Sequence, residues 1–530
     1  MVTEMIPLPL SFVDRVAFDK STNTLFAELR LTGDPMLLTW QSKNNALGIK
    51  ISIKPVYIDE ITRMRERGFR IIEQEDVGMV VRGKALEILR KAACYGASDV
   101  HFMDKGEHTE IQFVVKGELR VFCYLKAGEG APLMRAIYQG IAKTREGSYN
   151  PLEFQNGQIP GDAIPVEFGI SSCRIIRGAC YPSDKNASFM TIRMQYNRYG
   201  VKSAHALPRL PLPRRPDGAL ELGKKGFSAS QLEKLRKLID APNGIVIITG
   251  PTGSGKTQTL FELLAESART KPHRRLVTIE DPVENYMEWA VQMAVTGAKN
   301  DAENGEAFLE RGRVALRMAP HNILIGELRG KEVAIAAFEA ALTGHLVWTT
   351  MHVNDPYMFV ERLELMDRER LNRGVFCDHK NVRGVIAQRL LKKLCSHCCI
   401  PLSQNMNMID TRIIEALKTW GDIDSVRLMG DGCARCDFDG VTGRFAVAEI
   451  VLTTVQLMSD FIEHGSAVAR ERYRKSPGAD KSMMETGIEH IFCGEVDPRT
   501  VEEAIDYIEA RPAKTFHVES NPKLSAVGDQ

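Results

Sequence analysis

The sequence predicts an α/β protein: a parallel, helix-wrapped sheet in its second half, preceded by a mixed α+β region. Three observations point there. A short apolar run, NGIVIITG (243–250), leads into a glycine-rich loop and then into a helical pattern, TQTLFELLAESA. From there to about residue 390, apolar runs (LVTIE, ILIG, HLVWTTM) alternate with helical segments, as strands joined by crossover helices do. Upstream, short runs of alternating apolar and polar residues are bounded by turn residues, the pattern of half-buried strands.

Composition limits the classes of function. A chain of 530 residues suggests three or four domains, and 44% hydrophobic with 26% charged residues suits a soluble globular protein. The 69 basic and 68 acidic side chains leave a net charge of +1, which argues against a large constitutive nucleic-acid surface. No apolar run approaches the ~18 residues of a membrane span. The N-terminal MVTEMIPLPLSFVDR lacks the basic start and unbroken apolar stretch of a signal peptide. A cytoplasmic chain with at most a peripheral membrane role is expected.

The elements follow in order. VDRVAFDKSTNTLFAELRL (13–31) reads as two strands around a polar turn, and ALGIKISIKPVYI (46–58) alternates again, so residues 1–75 are expected to be β-rich. GKALEILRKAACYGAS (83–98) is helical in pattern, and EIQFVVKGELRVFCYL (110–125) resembles a hairpin turning near Lys116–Gly117. With further strands at 166–180 and 188–194, residues 76–204 read as α+β. The proline- and arginine-rich HALPRLPLPRRPDG (205–218) marks residues 205–229 as an extended linker, or alternatively a polyproline II ligand. Ser230 and Glu233 fit a capping box for a helix whose apolar face is Leu232, Leu235, Leu238 and Ile239. The parallel domain is placed at 230–390, a cysteine-rich region at 391–450, a helical region at 451–510 and a loose tail at 511–530.

GPTGSGKT (250–257) matches the phosphate-binding pattern G-x-x-x-x-G-K-[ST]. Glycines let successive backbone N–H groups turn toward phosphate oxygens, and the following helix N-terminus adds positive potential. Gly250, Pro251, Thr252, Gly253, Ser254, Gly255, Lys256, Thr257 and Gln258 are the expected nucleotide contacts, with Lys256 on the β- and γ-phosphates and the Thr257 hydroxyl on Mg²⁺. HNILIGELRG (321–330) ends a strand at Glu327, where a carboxylate can polarise a water or hold it through Mg²⁺. VTIEDPVE (277–284) tips another strand with Glu280, Asp281 and Glu284. TGHLVWTTMH (343–352) puts His345 and His352 at the two ends of a third, too far apart to share one site; one is expected near the γ-phosphate and the other at a subunit contact.

Eleven cysteines is an odd number, and five of them crowd together, which in a reducing compartment points to metal rather than disulfides. Cys395-x-x-Cys398 and Cys433-x-x-Cys436 are two knuckles able to complete a tetrahedral, structural Zn²⁺ site; His397 and Cys399 are alternative ligands.

These segments, in this order, resemble the secretion/pilus ATPase superfamily, and within it the type II secretion and type IV pilus assembly ATPases. TIEDPVE stands for the Asp box, GELRG for Walker B and TGHLVWTTMHVNDP for the His box. GASDVHF (96–102), GVIAQRLLKKLCSHC (384–398), GCARCDFDGVTGRFAVAEI (432–450) and GIEHIFCGEVDPRTVEEAI (487–505) extend the resemblance over roughly residues 80–505. It implies a RecA-like core preceded by a PAS-like domain, a zinc-binding insertion, a helical C-terminal part, and a homohexamer with nucleotide between the two domains. It also implies Glu327 as catalytic acid, Glu280 as a second acid, His345 and His352 as His-box residues, and phosphate-meeting arginines at Arg313, Arg317, Arg174 and Arg193. The implied partner is an inner-membrane platform protein, reached from the cytoplasmic face. The tetracysteine region typifies assembly and secretion members rather than pilus-retraction ones. Two departures stand out: Ala319–Pro320–His321 replaces the family's DPD, and Gly330 replaces the last Asp of its Walker B. Other readings are a RecA-like ring acting on nucleic acid and a nucleotide-gated scaffold without efficient hydrolysis.

Overall fold

A computed structural model of the chain describes residues 8, 12, 15–19, 21–66, 73–197, 207–297 and 300–511. The expected tail, 511–530, lies outside these residues except for Arg511, as does the start of the expected linker. Residues 207–216 are in neither helix nor strand. The chain divides into two compact units: residues 1–116, 123–177 and 192–208, and residues 117–122, 178–191 and 209–530.

In the first unit, β1 (Val16–Asp19) and β2 (Thr24–Glu28) form the expected antiparallel hairpin, with Val16 opposite Ala27. Asp19 holds its turn by accepting from Ser21 N (2.9 Å) and Thr22 Oγ1 (2.7 Å). The rest of this region is not β-rich. Asp34 caps α1 (Pro35–Ala46) by accepting from Met36 N, and α2 (Ile58–Glu66) follows β3 (Ser52–Val56). β3 runs parallel to β2, and a parallel pair requires a crossover, which α1 supplies while burying Leu37 and Trp40 against Val16, Phe18 and Leu25. Pro55 is tolerated because β3 is an edge strand.

The helix expected at 83–98 is longer at its start: α3 spans Glu73–Cys94 and crosses residue 75. Then come β4 (Ala97–Asp104), β5 (His108–Val115), β6 (Glu118–Lys126), α4 (Gly130–Arg135), β7 (Thr144–Arg145), β8 (Gln155–Pro160), β9 (Ile170–Ala179) and β10 (Ser188–Tyr196). They form a seven-stranded sheet in the order β6-β5-β4-β10-β9-β8-β7.

The second unit contains α5 (Ala229–Asp240), β11 (Gly244–Thr249), α6 (Lys256–Thr270), β12 (Leu276–Glu280), β13 (Ala290–Ala294), α7 (Asp301–Leu316) and β14 (Asn322–Ile325). It continues through α8 (Lys331–Leu342), β15 (Leu346–Met351), α9 (Phe359–Met366), α10 (Arg373–Phe376) and β16 (Val382–Leu394). Its sheet has the order β13-β12-β14-β15-β11-β16-β19, where β19 is Val441–Leu452. The pairings from β13 to β16 are parallel and β19 is antiparallel to β16. This is the parallel, helix-wrapped α/β core expected around the phosphate-binding loop, with Val246, Ile248, Leu324, Trp348 and Ile386 buried between its sheet and helices. The N-cap of α5 is Ser228, paired with Gln231 in a capping box, not Ser230 with Glu233. Both pairs have the same spacing; the register is decided by Phe227, buried in the same core that Leu232 packs against.

Between β16 and β19 lie β17 (Ile400–Pro401), α11 (Thr411–Lys418) and β18 (Arg427–Leu428), and after β19 come α12 (Val455–Arg474), α13 (Met483–Phe492) and α14 (Pro498–Ala504). Leu402, Ile413, Leu417, Val426, Ile488 and Val501 give this part its own core, which joins Leu391 of β16 and Val447 of β19.

Candidate functional site

The phosphate-binding loop joins β11 to α6. Apolar β11 is buried along its whole length, fixing where the chain leaves the sheet. Gly250 (φ 148°) and Gly255 (φ 84°) then turn it back, and Gly255 is the N-cap of α6. Both positions require glycine. A Cβ on Gly250 would sit 2.5 Å from Ser254 Oγ and 2.7 Å from the Gln388 carbonyl, and one on Gly255 would sit 3.1 Å from Gln388 Nε2. Pro251, Thr252 and Gly253 form the exposed crest, Ser254 is buried beneath it, and Thr257 is half-buried on the first turn of α6. Gln258 is exposed on the same turn.

Lys256 Nζ donates to the Gly250 carbonyl (2.8 Å) and the Pro251 carbonyl (3.0 Å). Burial lowers its pKa, opposed by the Glu327 carboxylate. An ammonium held by neutral carbonyls at a buried position is matched to an anion, and phosphate oxygens are the stronger acceptors.

Parallel pairing brings the carboxyl ends of β12, β14 and β15 together with that of β11. Glu327 follows β14, and its carboxylate is held from two sides: Arg329 Nε donates to Oε2 (2.9 Å), and His352 Nε2 lies 3.2 Å from Oε1. Arg329 also reaches toward Asp281, 3.8 Å away. Glu280, at the end of β12, is buried; Thr278 Oγ1 (2.5 Å) and Gln292 Nε2 (3.0 Å) both donate to its Oε1. Burial pushes its carboxyl pKa up, against the pull of those two donors. The half-buried, doubly positioned Glu327 is thus the more accessible acid, while Glu280 is enclosed by its own neighbours. A hydroxyl on Thr257 and carboxylates on Glu327 and Glu280 are hard oxygen donors of the type Mg²⁺ takes.

The other expected residues lie apart from the loop or are already engaged. His345 precedes β15, at the opposite end of a strand about 20 Å long, and its Nδ1 is 2.9 Å from the Ala340 carbonyl. Arg313 lines a cavity of about 320 Å³ between α7 and α8, together with Glu332, Glu339, Asp367 and Arg370. Arg317 sits at the C-cap of α7, where a cation complements the helix dipole. In the first unit, Arg174 is exposed on β9, and Arg193 donates to buried Asp99 (3.0 Å).

Two residues at the loop, within the GVIAQRLLKKLCSHC segment, were not among the expected site residues. Gln388 and Arg389 of β16 are 1% and 3% exposed. Gln388 Nε2 donates to the Ser254 carbonyl (2.6 Å), and Arg389 Nη2 donates to the Asn354 carbonyl (2.8 Å) beyond His352. Consecutive amide and guanidinium side chains inside an apolar strand, GVIAQRLL, were the available signal.

His321 has an identifiable structural role. Its Nδ1 accepts from the Arg275 backbone N–H (3.0 Å), and burial pushes its pKa down, favouring the neutral ring that this bond needs.

The four cysteines converge. Sγ atoms of Cys395, Cys398, Cys433 and Cys436 all lie within 4.8 Å of one another, with close pairs at 3.8 Å (Cys395–Cys433), 3.7 Å (Cys398–Cys436) and 3.9 Å (Cys433–Cys436). Four thiolates about 2.3 Å from one tetrahedral Zn²⁺ stand about 3.8 Å apart, so the donor set fits that ion. Backbone N–H groups of Cys433 (3.2 Å) and Gly440 (3.3 Å) donate to Cys436 Sγ and favour its thiolate. Among the described residues this is the one such cluster, and neither His397 nor Cys399 belongs to it. No helix among the described residues is long and apolar enough to cross a membrane.

Comparison with known proteins identifies relatives of the chain. Residues 212–505 match the family described as type II/IV secretion system protein. "Type IV pilus assembly ATPase PilB" of Thermus thermophilus is 29% identical over 430 residues, covering 78% of this chain and 42% of that protein. "Putative type II secretion system protein E" of Escherichia coli is 33% identical over 278 residues, 52% of each chain. "Type II secretion system protein HxcR" of Pseudomonas aeruginosa is 33% identical over 425 residues, 80% of this chain and 77% of that one. The chain thus spans about half or less of the first two relatives and about three-quarters of the third.

Proposed function

The chain belongs to the type II/IV secretion system protein family, and from that premise we propose that it hydrolyses ATP to drive assembly of a type IV pilus or a type II secretion pseudopilus. The observation that carries this reading is the carboxylate of Glu327, fixed by Arg329 and His352 at the strand ends that adjoin the phosphate-binding loop.

In this reading the loop N–H groups and Lys256 bind the β- and γ-phosphates, and Thr257 with Glu327 and Glu280 would hold Mg²⁺. The metal supplies charge neutralisation on the phosphoryl oxygens when bound. Glu327 orients the attacking water and accepts its proton, while His352 and Arg329 hold the carboxylate in line. Zinc on the four cysteines is structural, since four protein ligands leave no open position. Arg313, Arg317, Arg174 and Arg193 are proposed to meet phosphate, and His345 a subunit contact, only in the assembled protein: a homohexamer at the cytoplasmic face of the inner membrane, pushing on a platform protein. The near-neutral charge supports a protein partner over nucleic acid.

Phosphate release from ATP by the full chain tests the reading, alongside Lys256→Ala and Glu327→Gln. Wild-type turnover with Mg²⁺, falling by about 10²-fold or more in Glu327→Gln while nucleotide still binds, is the expected result. Equal release by wild type and Glu327→Gln would overturn it. Mass measurement with bound nucleotide addresses the assembly, and a chain that stays monomeric at every concentration sinks the hexamer.

A further inference from the structure

Strand β16 carries two buried polar side chains in succession, and each ends on a loop of the nucleotide site. Gln388 Nε2 donates 2.6 Å to the Ser254 carbonyl inside the phosphate-binding loop. Arg389 Nη2 donates 2.8 Å to the Asn354 carbonyl, two residues beyond His352, and its Nη1 donates 3.0 Å to the Gln388 carbonyl. Successive strand residues point to opposite faces, so one strand serves two different loops at adjacent positions.

The placement is costly. An amide and a guanidinium at 1% and 3% exposure stabilise the fold only through the bonds they make, and an apolar pair would fill the same strand without that risk. The fit around them is also tight: the Gln388 carbonyl stands where a Cβ on Gly250 would go, and the Gln388 amide stands beside Gly255. Beyond Asn354, Asp355 is held by Arg470 (2.9 Å), so the loop that begins with His352 is tied at consecutive residues. In the sheet β11 lies between β15 and β16, so the His352 loop and the strand that holds it flank the phosphate-binding loop.

We propose, resting on the ATP-hydrolase reading above, that Gln388 and Arg389 are positioning residues: Gln388 fixes the phosphate-binding loop and Arg389 fixes the His352 loop, so that one strand sets the spacing between bound phosphate and the Glu327–His352 pair. Gln388 then acts on nucleotide binding and Arg389 on turnover. A role confined to core stability would instead move both properties together.

The test uses the full chain with Gln388→Glu and Arg389→Lys, and Gln388→Asn as the milder substitute if the first does not fold. Gln388→Glu turns an acceptor toward the Ser254 carbonyl, and Arg389→Lys keeps the charge but loses the fork that spans two carbonyls. Hydrogen exchange by mass spectrometry is read over residues 250–257 and 352–356, with binding of a non-hydrolysable ATP analogue and steady-state turnover. The Gln388 variant is expected to speed exchange in the first segment alone and weaken analogue binding about tenfold. The Arg389 variant is expected to speed exchange in the second segment alone, keep binding within about twofold and lower kcat about tenfold. Wild-type exchange in both variants, or both loops loosening together with a common fall in Tm, overturns the proposal. Exchange and analogue binding need no hydrolysis, so a wild type that binds but does not turn over would fail the ATPase reading while leaving these two readouts to judge the positioning.

Discussion

Glu327 and His352 meet across the carboxyl ends of neighbouring parallel strands, Oε1 to Nε2 at 3.2 Å, while His345 lies at the other end of the same strand on the Ala340 carbonyl. The two histidines of one sequence motif therefore have separable effects. His352→Ala removes one of the two groups that hold the Glu327 carboxylate, and kcat is expected to fall by about 10- to 100-fold with nucleotide affinity little changed. His345→Ala is expected to leave turnover of the dissociated chain within about twofold. Steady-state phosphate release and an equilibrium nucleotide titration separate the two; equal losses of kcat would contradict the geometry.

The glycines of the phosphate-binding loop are set by what surrounds them as much as by backbone angle. Gly253, at φ 79°, has open space where a Cβ would go, whereas Gly255, at φ 84°, faces Gln388 Nε2 at 3.1 Å. Gly253→Ala carries only backbone strain, about 1 kcal/mol, and Gly255→Ala adds displacement of a buried amide, for about 2–3 kcal/mol in total. Thermal melts are expected to rank Gly255→Ala below Gly253→Ala, with nucleotide affinity lost in the same order. The reverse ranking would mean that Gln388 does not press on the loop.

Sulfur spacing at the four-cysteine site makes a claim about metal content. One Zn²⁺ per chain is expected by elemental analysis, lost on substituting serine for Cys395, Cys398, Cys433 or Cys436 and retained in Cys399→Ser. The knuckles join the ends of β16 and β19, so metal removal is expected to loosen the lobe built on Leu402, Ile413 and Val426 before the parallel sheet. Chelation followed by hydrogen exchange over residues 395–440 reads this directly. Full retention of metal in Cys436→Ser would rule out the four-sulfur site.

What the sequence made legible was local. The apolar strands, the glycine loop, the strand-end acids and the paired knuckles each declare themselves within a dozen residues, because their chemistry depends on near neighbours. Gln388 and Arg389 do not, since their partners are 134 and 35 residues away and no periodicity marks a bond across a sheet. The N-terminal region misled for a different reason. Its helix α1 buries only Leu37, Trp40 and Asn44, so its helical stripe is thin, while the flanking strands alternate clearly. The capping box of α5 slipped by two residues because Ser228–Gln231 and Ser230–Glu233 share one spacing, and only the burial of Phe227 distinguishes them.

His321 supplies a pH dependence whose sign follows from its bond. Nδ1 can accept the Arg275 N–H only when the ring is neutral, and burial beside His273, Arg274 and Arg275 lowers the folded-state pKa below the ordinary 6.5. A base with a depressed folded pKa takes up fewer protons folded than unfolded, so its contribution to stability is complete above about 6.5 and is lost as pH falls toward the folded value. His321→Asn keeps an acceptor without the titration. Between pH 7.5 and 5.5 the wild type is expected to lose more Tm than His321→Asn, with the curves converging at the upper end. Parallel curves over that range would show that the His321 ring does not titrate with folding.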